Sequence, residues 1–153
     1  MDKYAKLQIR QLDEALEPFQ KLKSSPPPRD GWIKAVRESL GMSLRQLSQR
    51  AGLSKTSVAS IESLEGKGTV QLDSIRRLAN GMGCELVYAL VPRHSLQEIV
   101  ENQARSKATE LVDRISTSME MEAQGISPAD RARQVEELTE EILRTRKRGL
   151  WDV

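Results

Sequence analysis

The stretch from Met42 to Glu65, MSLRQLSQRAGLSKTSVASIESLE, leaves the chain few folds to choose from. Ser43 stands three residues before Gln46, the spacing of a capping box. In that arrangement the serine oxygen takes an orphan helix amide while the glutamine reaches back. Leu44, Leu47 and Ala51 then recur at helical spacing. Gly52 supplies the backbone freedom of a tight reversal, and Ser54 is placed to cap a second helix. Val58, Ile61 and Leu64 form the expected inward row of that helix at i, i+3 and i+6. Two short capped helices around a glycine describe a helix-turn-helix. The second helix turns Lys55, Thr56, Ser57, Ala59 and Ser60 outward, short or polar groups suited to lying against base edges.

The flanks extend this motif into a helical module. Residues 1–23 read as an amphipathic helix with Tyr4, Leu7, Leu12, Leu16, Phe19 and Leu22 on roughly one stripe, which Pro18 should kink or end early. Residues 24–29, with Pro26-Pro27-Pro28, form a stiff linker. Residues 30–92 make the helix-turn-helix domain. It opens with a lead helix that turns Trp32 or Ile33, Val36 and Leu40 inward, and a further helix runs through Leu72, Ile75, Leu78 and Ala79. The period then changes: Cys84 to Val91 is β-branched and apolar, and Pro92 stops it. A lone strand cannot satisfy its own amides. Leu86, Val87, Tyr88, Ala89 and Leu90 are therefore expected to pair with the same strand of a second copy, across a two-fold axis. Cys84 is expected as a small buried strand residue.

Residues 93–153 return to helical spacing as a hairpin for dimerisation or partner binding. One helix is capped by Ser95, with Glu98 three residues on, and carries Leu96, Ile99, Val100, Ala104, Ala108, Leu111, Val112, Ile115 and Met119. Gly125 breaks it, and Ser127-Pro128 starts a second helix through Ala132, Val135, Leu138 and Ile142. Arg144, Arg146, Lys147 and Arg148 suit the negative end of that helix's dipole. Leu150-Trp151 reads as an apolar plug. The expected fold class is all-α: a lambda-repressor-like helix-turn-helix module with one short β-strand, an intersubunit ribbon, and a C-terminal helical hairpin.

Composition narrows the function classes. Lysine and arginine number 24 against 22 acidic residues, so any basic face is local rather than global. One cysteine and one histidine exclude an intrachain disulfide and leave no Cys/His zinc set, so neither metal nor cofactor is expected. There is no nucleophile elbow, phosphate-cradling glycine loop or paired catalytic histidine, and the chain is not read as an enzyme. No apolar run approaches the ~20 residues of a membrane span, and no signal-peptide pattern opens the chain. A cytoplasmic protein is expected, nucleoid-associated when bound to DNA.

Trp32 to Leu90 resembles the Cro/C1-type (Xre-like) helix-turn-helix repressors, on the Leu-x-x-Leu-x-x-Ala-Gly-Leu-Ser pattern of Leu44 to Ser54 and the Ile61-Glu62 pair. Gly31-Trp32-Ile33, Leu40-Gly41-Met42-Ser43, Gly68-Thr69-Val70, Cys84 to Pro92 and Leu150-Trp151-Asp152 are similar to the family called mobile mystery protein A. Genes of that family sit beside one for a Fic-domain protein, mobile mystery protein B, often on mobile elements. The resemblance implies an autorepressor, antitoxin-like, binding double-stranded DNA as a homodimer at an inverted repeat and partnering a Fic-domain protein.

Carried over position by position, it places Lys55, Thr56 and Ser60 against bases. It sets Ser43, Arg45, Gln46, Ser57 and Lys67 along phosphates, and pairs Arg37 with Glu62 as a structural ion pair. The position opening the first helix of the motif is often glutamine in such repressors and is Leu44 here, so a backbone contact made there must come from Arg45 or be absent. The rival reading is a protein-interaction adaptor that sequesters a Fic-family toxin without specific DNA binding. Salt dependence of DNA binding separates the two.

Overall fold

Local signals set most of the helix boundaries. The computed structural model describes residues 3–121, 127–145 and 149–152. Seven α-helices lie among them: α1 (Lys3–Gln20), α2 (Trp32–Ser39), α3 (Leu44–Ala51), α4 (Lys55–Gly66), α5 (Leu72–Gly81), α6 (Leu96–Met121) and α7 (Pro128–Thr145). A short 3-10 turn, Lys21–Ser24, follows α1. The chain divides into two compact units. Lys21–Ala89 forms one; Met1–Gln20 and Leu90–Val153 together form the other.

In the Lys21–Ala89 unit, α3 opens on the capping box: Gln46 N donates to Ser43 Oγ at 3.2 Å, and Ser43 N donates to Gln46 Oε1 at 2.8 Å. It ends at Gly52, whose φ of 63° is left-handed, and Ser54 Oγ then accepts from Ser57 N at 3.0 Å to start α4. Helix α2 lacks a side-chain cap of its own. Glu65, from the last turn of α4, takes its first amides instead, Trp32 N at 3.0 Å and Ile33 N at 2.9 Å. This close approach needs Gly31: its φ is 90°, and a Cβ there would meet the Glu65 carboxylate at 2.5 Å. Ile33, Leu47, Val58 and Leu78, one from each helix, are fully buried and pack with Met82. Each such burial contributes roughly 1.5–3 kcal/mol. Leu64, expected inward, is exposed, because the inward row of α4 runs through Val58, Glu62 and Glu65 at i, i+4 and i+7.

In the other unit, α6 and α7 form the hairpin and α1 packs on α6. Ser95 Oγ accepts from Glu98 N at 3.0 Å, while Asp13 of α1 accepts from Leu96 N at 2.7 Å and Gln97 N at 3.2 Å. Ser127 caps α7 by accepting from Asp130 N at 3.1 Å, with Pro128 as the first helical residue. The buried seam consists of Ala108 and Val112 against Val135, with Leu138 and Ile142 half-buried beside them. Exposed ion pairs flank it, Arg131 to Asp113 at 2.6 Å and Arg105 to Glu136 at 3.0 Å.

Several expectations need correction. No strand occurs among the described residues; Leu86, Val87, Tyr88, Ala89 and Leu90 lie in irregular chain. A β-ladder is a relation between two backbones, and the single chain offers this segment no second one. Val87, Tyr88 and Leu90 are correspondingly exposed, and so is Cys84, expected to be buried. Trp151 is no plug: it is 58% exposed, while Leu150 beside it is half-buried. On α1 the buried face is rotated from the expected stripe. Ala5 is buried with Ile9, Leu16 and Phe19 half-buried, whereas Tyr4, Leu7 and Leu12 are exposed. Pro18 lies inside α1, which ends two residues later at Gln20. Gly125 and the basic residues Arg146, Lys147 and Arg148 lie outside the described residues.

Candidate nucleic-acid interface

The outward face of α4 is made of small and polar side chains. Lys55, Thr56, Ala59, Ser60 and Ser63 are all exposed, in two rows at i and i+4 spacing. Apart from Lys55, and from Leu64 at the far end of the Thr56–Ser60 row, its side chains are short, so the first two turns can approach a flat or grooved surface closely. Lys55 has no hydrogen bond or ion pair among the described residues and leaves its ammonium free to donate. The hydroxyls of the first turn are already organised: Ser54 Oγ lies 2.9 Å from Thr56 Oγ1 and 2.7 Å from Ser57 Oγ. Thr56 thus reaches outward from a fixed position, and half-buried Ser57 belongs to the cap as much as to the surface. Ser60 lies one turn further along.

The remaining sequence-expected contacts are dispersed. Ser43 and Gln46 spend much of their bonding capacity on each other, including Ser43 Oγ donating to Gln46 Oε1 at 2.9 Å. That leaves the Gln46 amide nitrogen as the free donor of the pair. Arg45 is exposed on the first turn of α3. Lys67 is the C-cap of α4 and sits about 18 Å along the helix from Lys55, at the opposite end.

Behind this face, α4 is fixed by a buried bidentate pair. Arg37 Nε donates to Glu62 Oε1 at 2.6 Å and Nη2 to Oε2 at 3.1 Å, while Nη1 donates to Met42 O at 3.0 Å. Hydrogen bonding to Glu62 holds the Arg37 guanidinium above its ordinary pKa. One guanidinium therefore joins α2, the approach to α3, and α4.

Two further arginines position the motif and carry no local sequence signature. Arg77 of α5 donates to Ala51 O and Gly52 O, both at 2.8 Å, satisfying carbonyls at the end of α3. Arg50 of α3 donates to Gly81 O at the end of α5. That helix-end carbonyls favour cationic donors follows from helix geometry; which arginine reaches which helix end depends on tertiary packing.

Comparison with known proteins agrees with this geometry. Residues 33–88, which hold all four helices of the Lys21–Ala89 unit apart from the start of α2, match the helix-turn-helix family model. The match supports a DNA-binding regulator of the Cro/C1 (Xre-like) type; that family of domains is non-enzymatic. Comparisons with curated proteins and with solved structures returned no match. No helix among the described residues is long and apolar enough to cross a membrane.

Proposed function

We propose that this chain is a sequence-specific transcriptional regulator that binds an inverted-repeat operator as a homodimer, and that it is the autorepressing, antitoxin-like partner of a Fic-domain protein, as in the mobile mystery protein A family. The observation that carries the DNA-binding part is the exposed face of the first two turns of α4, which opens at a free lysine and presents only short or polar groups over an ion-paired base. Lys55 donates to guanine O6 and N7, Thr56 offers its methyl to thymine, and Ser60 meets a further base edge. Ser43, Arg45, Gln46, Ser57 and Lys67 lie along phosphates and set the register. Two such helices enter major grooves ~34 Å apart. The homodimer is supported by the exposed Val87 and Tyr88 on unpaired backbone, which a second copy would cover.

Fluorescence anisotropy on the DNA upstream of the chain's own gene, with random duplex as competitor, tests the reading. Competitor-resistant binding is expected, falling roughly 10³–10⁵-fold between about 50 and 200 mM salt. Lys55→Ala should cost about 1–3 kcal/mol on the cognate site and relax preference at one base pair. An equal loss on every sequence would confine Lys55 to phosphate, and binding no better than to random DNA would overturn operator recognition. The adaptor reading, in which the chain holds a Fic-family toxin without specific DNA binding, draws on one observation: Leu111 and Ile115 of α6 are exposed apolar residues. Adding the neighbouring Fic protein to the same titration reports whether the two are coupled, and with which sign.

A further inference from the structure

A concavity in the Lys21–Ala89 unit is distinct from the α4 outer face. Its volume is about 430 Å³, within the ~300–1,000 Å³ of small-molecule sites. Val36, Ile75, Met82 and Leu86 give it apolar walls, and Trp32, 56% exposed, stands on the same lining. Among the described residues, the two charged ones that line it are both acidic, Glu65 and Glu85. Glu65 is partly occupied by the first amides of α2. Glu85 is exposed and makes no ion pair among the described residues.

Hydrocarbon walls, an accessible indole and a free carboxylate are complementary to one ligand class. An organic ammonium ion with a compact apolar body buries that body against the walls. It sets its charge toward Glu85 and the Trp32 face, where the ring quadrupole attracts cations. An anion of the same shape would face two carboxylates and, among the described residues, no cation.

We propose that this concavity is a binding site for an apolar organic ammonium ion. The site touches the last turn of α4 through Glu65, about 15 Å along the helix from Lys55, and so is separate from the base-reading end. It is independent of base reading by α4, and it requires that a second copy covering Tyr88 and Val87, which also lines the concavity, leave Trp32 and Glu85 open.

The test uses the full chain with Trp151→Phe, which leaves Trp32 as the sole tryptophan. Emission is followed while titrating three near-isosteric probes: adamantan-1-ylmethylammonium, adamantan-1-ylmethanol and adamantane-1-carboxylate. The ammonium should give a saturable change in Trp32 emission and bind at least roughly tenfold tighter than the carboxylate, with the alcohol between them. Glu85→Gln, at an exposed position that should not disturb folding, should weaken the ammonium by about three- to fivefold and leave the alcohol unchanged. Equal binding of all three probes, or no emission change with any of them, would overturn the proposal. So would a blue shift that grows with protein concentration and blocks the ammonium, since a second copy would then fill the groove.

Discussion

The two units bury their interiors in opposite ways. In Lys21–Ala89, four short helices each send one large aliphatic side chain to a common point, and a bidentate ion pair is buried beside them. In the α6–α7 hairpin, two long helices meet along a seam of alanine and valine, and the ion pairs stay on the exposed edges. Helices of two or three turns have little stability of their own. They are held by convergence, and convergence fixes their mutual angles. Long helices carry much of their hydrogen bonding internally and need only a narrow seam, which leaves apolar residues such as Ile115 outside. The rigid arrangement is the one that carries the α4 face. Both leave apolar side chains uncovered, Trp32 and Tyr88 in the first and Leu111 and Ile115 in the second.

The sharpest way to break this contrast is to remove one acid from each unit. Glu62→Ala strands Arg37 in the core and should cost about 3–5 kcal/mol in urea unfolding, lowering the midpoint of the Lys21–Ala89 transition. The same substitution at the hairpin's exposed Asp113 should cost only about 0.2–1 kcal/mol. Similar losses at both sites would mean that the Arg37–Glu62 pair is not insulated from water as its burial indicates. Next in size, Ser54→Ala removes the oxygen that caps α4 and should destabilise by about 1 kcal/mol. It also frees Thr56 and Ser57, so operator affinity should fall more than stability does; equal losses would show that the cap does not organise the contact face.

The smallest expected effect concerns pH. A hydrogen bond from Lys34 holds the Asp30 carboxyl below its ordinary 3.8, and the same bond raises Lys34. A depressed carboxylate stabilises the fold above its unfolded pKa and loses that contribution as pH falls through the folded value. The raised lysine contributes below its unfolded pKa and loses it as pH rises through the folded one. Asp30→Asn should therefore reduce stability slightly at neutral pH and shallow the decline below about pH 4. An unchanged acid limb would show that solvent screens this exposed pair.

Much of the Lys21–Ala89 unit is legible locally. Ser43 with Gln46, Gly52 and Ser54 announce where α3 and α4 begin and end, because caps and left-handed turns are short-range chemistry. The positions of Leu47, Val58 and Leu78 follow from period, whereas period left Ile33 open against Trp32 and placed Leu40 inward, where the structure exposes it. The Glu65 clamp on α2 was not legible: it spans 33 residues and looks in sequence like one more surface acid. Arg77 and Arg50 were hidden for the same reason. The α1 stripe was misplaced because Tyr4 and Leu7 fit a helical period, yet Ala5 is the residue that can approach α6 closely.

The sequence by itself determined the helix-turn-helix, its caps and the exposed short side chains of α4, since each depends on residues within one or two turns of each other. Tertiary structure alone decided which acids and arginines lock those helices together, which face of α1 is buried, and that Leu86–Leu90 remains unpaired in a single chain. Those outcomes depend on distant backbone groups meeting in space, and a pattern read along one dimension carries no record of which carbonyl or amide a side chain will reach.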